Sequence, residues 1–332
     1  MARVAVVFTG GTIGMRHDPG AGGNVPALSG DGILALVPGL ESIAEIVAID
    51  RGLTPASHFT FDDLFAIHDA VTGGLADEAT DGVVVVQGTD TIEETAFFFD
   101  LLHAGPKPVV VSGAMRTASA PDYDGPANLR DAVAAAAAPE LRNAGVVVVL
   151  GGSIEPADDV TKTHASALDT FRSLNAGSLG HLEGGRVVLA RERGPRRHVS
   201  ARRAAERVHL LTATVAMDGT PIEALLAVGT DGLVVEATGS GNTAATLLAA
   251  AERAIAAGVP VVLTTRCPAG AASGAYAFPG GGATWLRAGA ILAGHLGGPK
   301  ARVALALGLG AGLDRAALSR LLADPAPIAE AV

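Results

Sequence analysis

Thr12, Thr89, Asp90 and Lys162 are the residues of this chain whose types and settings could do chemistry. The first apolar run, Val4-Ala5-Val6-Val7-Phe8, is long enough for one buried strand and ends in Thr9-Gly10-Gly11-Thr12-Ile13-Gly14. Two adjacent glycines let the backbone turn sharply and let another group approach closely. The turn delivers the Thr12 hydroxyl to the carboxyl end of a strand, where open α/β sheets bind ligands. A strand followed by two glycines also serves as a plain connection. The theme returns at Val83-Val84-Val85-Val86-Gln87-Gly88-Thr89-Asp90-Thr91, which presents Thr89 and Asp90 at the start of a helix. Unpaired N–H groups there attract negative charge. A hydroxyl beside a carboxylate can hold a polar, charged substrate, and either residue can equally be a helix cap. Val109-Val110-Val111-Ser112-Gly113-Ala114-Met115-Arg116 is a third such turn. In Asp158-Asp159-Val160-Thr161-Lys162-Thr163 a lysine lies among carboxylates and hydroxyls, where it can shift a proton or stabilise an oxyanion. A single lysine in a loop is ordinarily just solvated, so the set carries the argument and no member does.

These residues need elements that hold them. Short apolar runs recur at 4–8, 46–49, 83–86, 109–111, 146–150 and 187–189, too short for helices and rich in β-branched residues. Such runs suit strands buried on both faces of a parallel sheet. Helical spacing fills the gaps: residues 62–71 with Thr60 as N-cap, residues 91–103 opening with Glu93 and Glu94, and residues 128–138 after Pro126. The basic stretch from Glu192 to Arg207 has no strand pattern and reads as a solvated inter-domain connection. The alternation then resumes with strands at 232–235 and 259–264 and helices at 243–257, 283–293 and 300–309. The fold class is α/β: two three-layer α/β/α domains with mainly parallel sheets, a larger N-terminal one (1–191), a linker (192–212) and a smaller C-terminal one (213–332).

Composition narrows the partners. The 332 residues carry a formal charge of −10, with a sequence pI near 5.3, which offers no broad basic surface to nucleic acid. No apolar stretch approaches a membrane span. A single cysteine, Cys267, excludes a disulfide framework and a cysteine-based zinc site, and the histidines are scattered, so no metal is expected. The chain enters a strand within three residues of Met1 without a cleavable leader pattern, which predicts a cytoplasmic protein.

The ordered set Thr9-Gly10-Gly11-Thr12-Ile13-Gly14, Gln87-Gly88-Thr89-Asp90-Thr91-Ile92-Glu93-Glu94-Thr95, Ser112-Gly113-Ala114-Met115-Arg116, Asp124-Gly125-Pro126-Ala127-Asn128-Leu129 and Asp159-Val160-Thr161-Lys162-Thr163 closely resembles the bacterial-type L-asparaginase family. Gly239-Ser240-Gly241-Asn242-Thr243 and Thr265-Arg266-Cys267-Pro268-Ala269-Gly270 fit it too, so the resemblance covers nearly the whole chain. It implies hydrolysis of L-asparagine to L-aspartate and ammonia without a cofactor. Thr12 would be the nucleophile and Thr89, Asp90 and Lys162 a second, rigid triad. Gly11, Ser57, His58, Gly88, Thr89, Asp90, Ala114 and Asn242 would bind substrate. Asn242 would reach a neighbouring site, because sites in this family form at subunit interfaces of a homodimer or homotetramer.

The departures from the family pattern are specific. Residues 15–32 contain no tyrosine, where the family's first triad takes one from the lid; they offer Arg16, His17 and Asp18. Residues 271–282 contain no acidic residue, where active members place a glutamate. Gln87 stands for the usual histidine, and the Ser-Gln pair that grips the substrate carboxylate is matched by Ala56-Ser57 or Ser57-His58. Tyr276, His17 or Arg16 are the candidates to replace the missing tyrosine; Tyr276 reads equally as a packed aromatic. The alternatives are a hydrolase of D-asparagine, glutamine or an N-substituted amide, and a non-catalytic amino-acid-binding protein. The presence of both Thr12 and Lys162 favours an enzyme. An amidotransferase subunit would carry an additional domain and more basic surface.

Overall fold

A computed structural model describes residues 1–325. The chain forms two compact units, Met1–Gly194 and a second beginning at Pro195. Residues 326–332, the end of the expected C-terminal domain, lie outside the described residues.

The strands of the first unit are β1 (Ala2–Phe8), β2 (Met15–Asp18), β3 (Gly23–Pro26), β4 (Ala44–Asp50), β5 (Gly82–Val86), β6 (Val109–Ser112), β7 (Val146–Leu150), β8 (Ser153–Pro156), β9 (Val160–Lys162), β10 (Phe171–Ser173), β11 (Gly180–Glu183) and β12 (Arg186–Leu189). Its helices are α1 (Gly30–Leu34), α2 (Phe61–Ala76), α3 (Ile92–Leu102) and α4 (Gly125–Ala137). Eight strands make one sheet in the order β12-β11-β8-β7-β6-β5-β1-β4. From β7 to β4 all pairs are parallel. The valine runs of β5, β6 and β7 are buried throughout, as strands covered on both faces must be.

Alternate residues serve the two faces. Val4, Val6, Phe8, Val84, Val86 and Val110 share one core with Leu129, Ala132 and Val133 of α4. On the other face α2 comes close: a Cβ added to its Gly74 would lie 3.1 Å from the Ala5 Cβ and 3.3 Å from Val83. Phe97, Phe98 and Phe99 of α3 are fully buried, and Phe98 meets Phe65 edge-on at 5.0 Å between centroids. Each such side chain contributes about 1.5–3 kcal/mol relative to exposure. The Thr60 side chain caps α2, with Asp63 closing a reciprocal capping box.

The second unit has strands β13 (Val208–Thr212), β14 (Gly232–Ala237), β15 (Val261–Thr265) and β16 (Ile291–Leu292), all parallel, in that order. Its helices are α5 (Thr220–Val228), α6 (Ala245–Ala256), α7 (Gly282–Ala288), α8 (Gly298–Gly310) and α9 (Arg315–Leu322). Leu233, Val235 and Leu263 pack with Leu247, Ala251 and Trp285. On α8, Leu305 reaches the backbone of Gly232.

Several expectations need correction. The run 187–189 is not a doubly buried parallel strand. It lies in β12, an antiparallel edge strand whose Val188 and Leu189 are exposed, because a β-branched run does not reveal which strands have a neighbour on both sides. The helix expected over 283–293 stops at Ala288. Gly289 there adopts φ 102°, a left-handed conformation that suits glycine, and the chain continues into β16. The stretch expected as a solvated linker, 192–212, includes the buried Arg193 of the first unit and ends in β13. The hairpins β2–β3 and β9–β10 had no pattern strong enough to predict them.

Candidate active site

The sheet order fixes where side chains can meet. After β1 the chain passes to β4 on one side, whereas β5 and β6 lie on the other. The strand order therefore reverses at β1, and a crevice opens at the carboxyl ends of such strands. The turns that leave β1, β5, β6 and β4 carry Thr12, Thr89 with Asp90, Ala114, and Ser57 with His58, respectively.

The first two turns touch through their main chains. Gly11 has φ 95°, and a Cβ on it would lie 2.2 Å from the Gly88 nitrogen. A side chain is excluded there both by conformation and by space. Gly88 in turn faces Ala56, and the Thr91 hydroxyl donates to the Ala56 carbonyl at 3.3 Å. Gly113 lies against the Gln87 carbonyl, where a Cβ would come within 2.5 Å. Four loops from four neighbouring strands are thus packed backbone against backbone.

Lys162, at the end of β9, points into this cluster. Its Nζ donates to Thr89 Oγ1 at 3.0 Å and pairs with Asp90 Oδ1 at 2.7 Å. The lysine side chain is 13% exposed and that of Asp90 75%, so the ion pair has a sheltered end and an open end. Thr89 is buried, and neither it nor Asp90 makes a side-chain cap to the following helical turns. The capping role open to them in the sequence is not the one they have. Glu93, in the first turn of α3, accepts hydrogen bonds from the Thr161 hydroxyl and, at 3.2 Å, from the Lys162 N–H. It ties the lysine strand to the helix that begins beside Thr89. Gln87 is fully buried, with its Nε2 donating to Thr95 Oγ1 at 3.2 Å and to the Gly88 carbonyl at 3.3 Å.

The Asp124-Gly125-Pro126-Ala127-Asn128 motif works on the same cluster from below. Asp124 accepts from the Met115 and Arg116 N–H groups, at 3.0 and 2.8 Å. Asn128 donates to Asp124 and to the Gly113 carbonyl and accepts from the Gly151 N–H, joining the ends of β6 and β7. Glu93, Asp124 and Asn128 stood within recognised motifs, yet their partners are mostly backbone groups, so their task was not readable from residue types.

The remaining expected residues are more dispersed. Ser57 and His58 are exposed in a short helical turn after β4. Arg16 and His17 are exposed on β2. Asn242 and Tyr276 belong to the second unit. Asn242 forms a small bridge with Thr238, and its Oδ1 is buried without a hydrogen bond. Tyr276 is 48% exposed and pairs with Phe278 at 5.9 Å between centroids. Among the described residues no cluster of His, Cys, Asp and Glu suits a metal ion, and no helix is long and apolar enough to cross a membrane.

The family model described as asparaginase, N-terminal, matches residues 3–194, and that of the glutaminase/asparaginase C-terminal domain matches residues 207–322. This chain belongs to the asparaginase family. It is accordingly an amidohydrolase with the family's larger N-terminal and smaller C-terminal domain. Within the asparaginase family it is similar to a "Probable L-asparaginase" of Deinococcus radiodurans, 36% identical over 97% of each chain. An L-asparaginase of Bacillus licheniformis is 32% identical over 92% of this chain and 94% of its own. In three dimensions it resembles a probable cytoplasmic L-asparaginase from Campylobacter jejuni, with a TM-score of 0.86 and 29% identity, covering 97% of this chain and 99% of that one.

Proposed function

We propose that this amidohydrolase converts L-asparagine to L-aspartate and ammonia with Thr12 as nucleophile. The observation that carries the reading is Lys162 Nζ within hydrogen-bonding distance of both Thr89 and Asp90, on a turn whose backbone abuts that of Thr12. Thr12 Oγ attacks the side-chain amide carbon, the C–N bond breaks, and the hydroxyl proton leaves with ammonia. Water then adds to the acyl-enzyme ester, a proton returns to Thr12, and aspartate is released. A neutral threonine hydroxyl is a weak nucleophile and needs neighbours to activate it. Thr89 directs the water, Lys162 and Asp90 carry the proton traffic, and the open end of Asp90 receives the substrate ammonium. Backbone N–H groups near Thr12 and Thr89 receive the developing oxyanion. Ser57 or His58 and Ala114 complete the binding wall. Asn242 acts on the site of a neighbouring subunit in a homodimer or homotetramer.

Two observations favour a second reading, hydrolysis of a related amide: residues 15–32 hold no tyrosine, and residues 271–282 hold no acidic residue. Ammonia release from L-asparagine, L-glutamine, D-asparagine and N-substituted amides separates the two. Turnover of L-asparagine is expected, falling roughly a thousandfold or more in Thr12→Ala and in Thr89→Val. No turnover of L-asparagine, with Thr12-dependent cleavage of another amide, would move the substrate. Undiminished turnover in Thr12→Ala would overturn the nucleophile.

A further inference from the structure

The segment that carries Thr12 is held from one side by a single loop. Residues 116–123 run beside residues 13–17 and hydrogen-bond every second one. The Tyr123 hydroxyl donates to the Ile13 carbonyl at 2.7 Å. The Ala118 N–H donates to the Met15 carbonyl at 3.0 Å, and the His17 N–H donates to Ser119 Oγ at 3.1 Å. The loop is itself braced: Arg116 spans from Asp122 to the carbonyl of Ser166, in the segment that follows Lys162. Asp124 fixes its two ends through Met115, Arg116 and Asn128.

Of these three bonds, the tyrosine's lies nearest to the chemistry. Ile13 is the residue after Thr12, 1% exposed, inside the helical turn Thr12–Gly14. The Gly14 and Met15 N–H groups donate back to the Gly11 and Thr12 carbonyls, so the turn closes on itself and Tyr123 holds its outward carbonyl. The tyrosine ring packs on the sheet core and lies against Gly125, where a Cβ would come 2.3 Å from the hydroxyl oxygen and 2.4 Å from two ring carbons. Gly125 thus leaves room for the ring in a place that any side chain would take.

We propose that Tyr123 is a positioning residue for Thr12: its hydroxyl fixes the Ile13 peptide and thereby the direction in which the Thr12 hydroxyl points. The proposal rests on Thr12 being the nucleophile. Burial, with the charge of Asp124 adding to it, pushes the Tyr123 phenol up to about 12. The hydroxyl is therefore a donor at neutral pH and not an acceptor for the Thr12 proton. Its part is geometric, and a misplacement of about 1 Å at a reacting group costs on the order of a hundredfold in rate.

The test keeps the ring and removes the donor. In Tyr123→Phe, kcat is expected to fall roughly tenfold or more with KM within about twofold, because orientation is lost and ground-state binding is not. Incorporating p-aminophenylalanine at position 123 restores an N–H donor and is expected to recover most of kcat, which a loss of packing alone would not allow. Unchanged kcat in Tyr123→Phe, or an equal loss in both variants, overturns the proposal. Should Tyr123→Phe fail to fold, amide exchange of Gly14 and Met15 in the unaltered enzyme decides. Slow exchange is expected, and exchange at the rate of an open loop defeats the anchor. Thr12→Ala is assayed alongside. Its full activity would defeat the nucleophile reading, whereas its loss together with a fully active Tyr123→Phe defeats the anchor alone.

Discussion

Lys162 reaches Thr89 and Asp90 only because its own main chain is held, and Glu93 holds it. Two donors from residues 161 and 162 converge on one carboxylate oxygen. Hydrogen bonds to a charged acceptor contribute about 1.5–3 kcal/mol, and their loss here frees the lysine strand as well. Glu93→Ala is therefore expected to lower kcat roughly tenfold to a hundredfold through displacement of the ammonium. Steady-state assays beside thermal melts check it: a lowered melting temperature with full kcat would reduce Glu93 to a structural tie. Thr12, Thr89 and Asp90 were legible as candidates because each follows a recognisable strand and glycine, and Lys162 because it lies among carboxylates and hydroxyls. Tyr123 and Glu93 were not, because the atoms they bind are mainly carbonyl oxygens and N–H groups. Every residue has those, so no partner type in the sequence marks the contact.

Helix starts were the most readable elements, and α2 shows why. Its cap, first turn and apolar stripe all agree, and Thr60 and Asp63 form the reciprocal bonds that the sequence allows. The backbone N–H of Thr60, then its hydroxyl, hold the Asp63 carboxyl below its ordinary range. A depressed carboxylate contributes stability above its unfolded value and loses it as pH falls through the folded one. Thr60→Val is expected to destabilise the first unit by about 1 kcal/mol at neutral pH. That difference should narrow below about pH 4. Denaturant melts at both pH values measure it, and a gap that widened in acid would contradict the assigned sign. Helix ends and edge strands were harder. The stop of α7 depends on one glycine conformation, and the exposure of β12 depends on which strand lies next to it, a fact about the sheet and not about residues 187–189.

Across the whole molecule the sequence displayed the two-part organisation, and Arg193 shows where the junction is less solvated than its composition suggests. It opens a stretch rich in arginine, which reads as solvated. Yet its guanidinium is 5% exposed and bonds Asp100, Asp158 and the Ala144 and Val146 carbonyls. It belongs to the first unit's core, where α3 and β7 meet the turn that leads to Lys162. Removing one partner of a buried ion pair strands the other, so Arg193→Met is expected to cost about 3–5 kcal/mol. Calorimetry would register it as a lower melting temperature of the first unit, and an unchanged transition would contradict the burial. The gauge between the two turns, Gly11 against Gly88, is set by main-chain radii at the mouth of adjacent strands. The spacing of these two turns is therefore independent of the side chains they carry. A selection for new substrates in this scaffold should freeze both glycines and randomise residues 16–25, which hold no tyrosine.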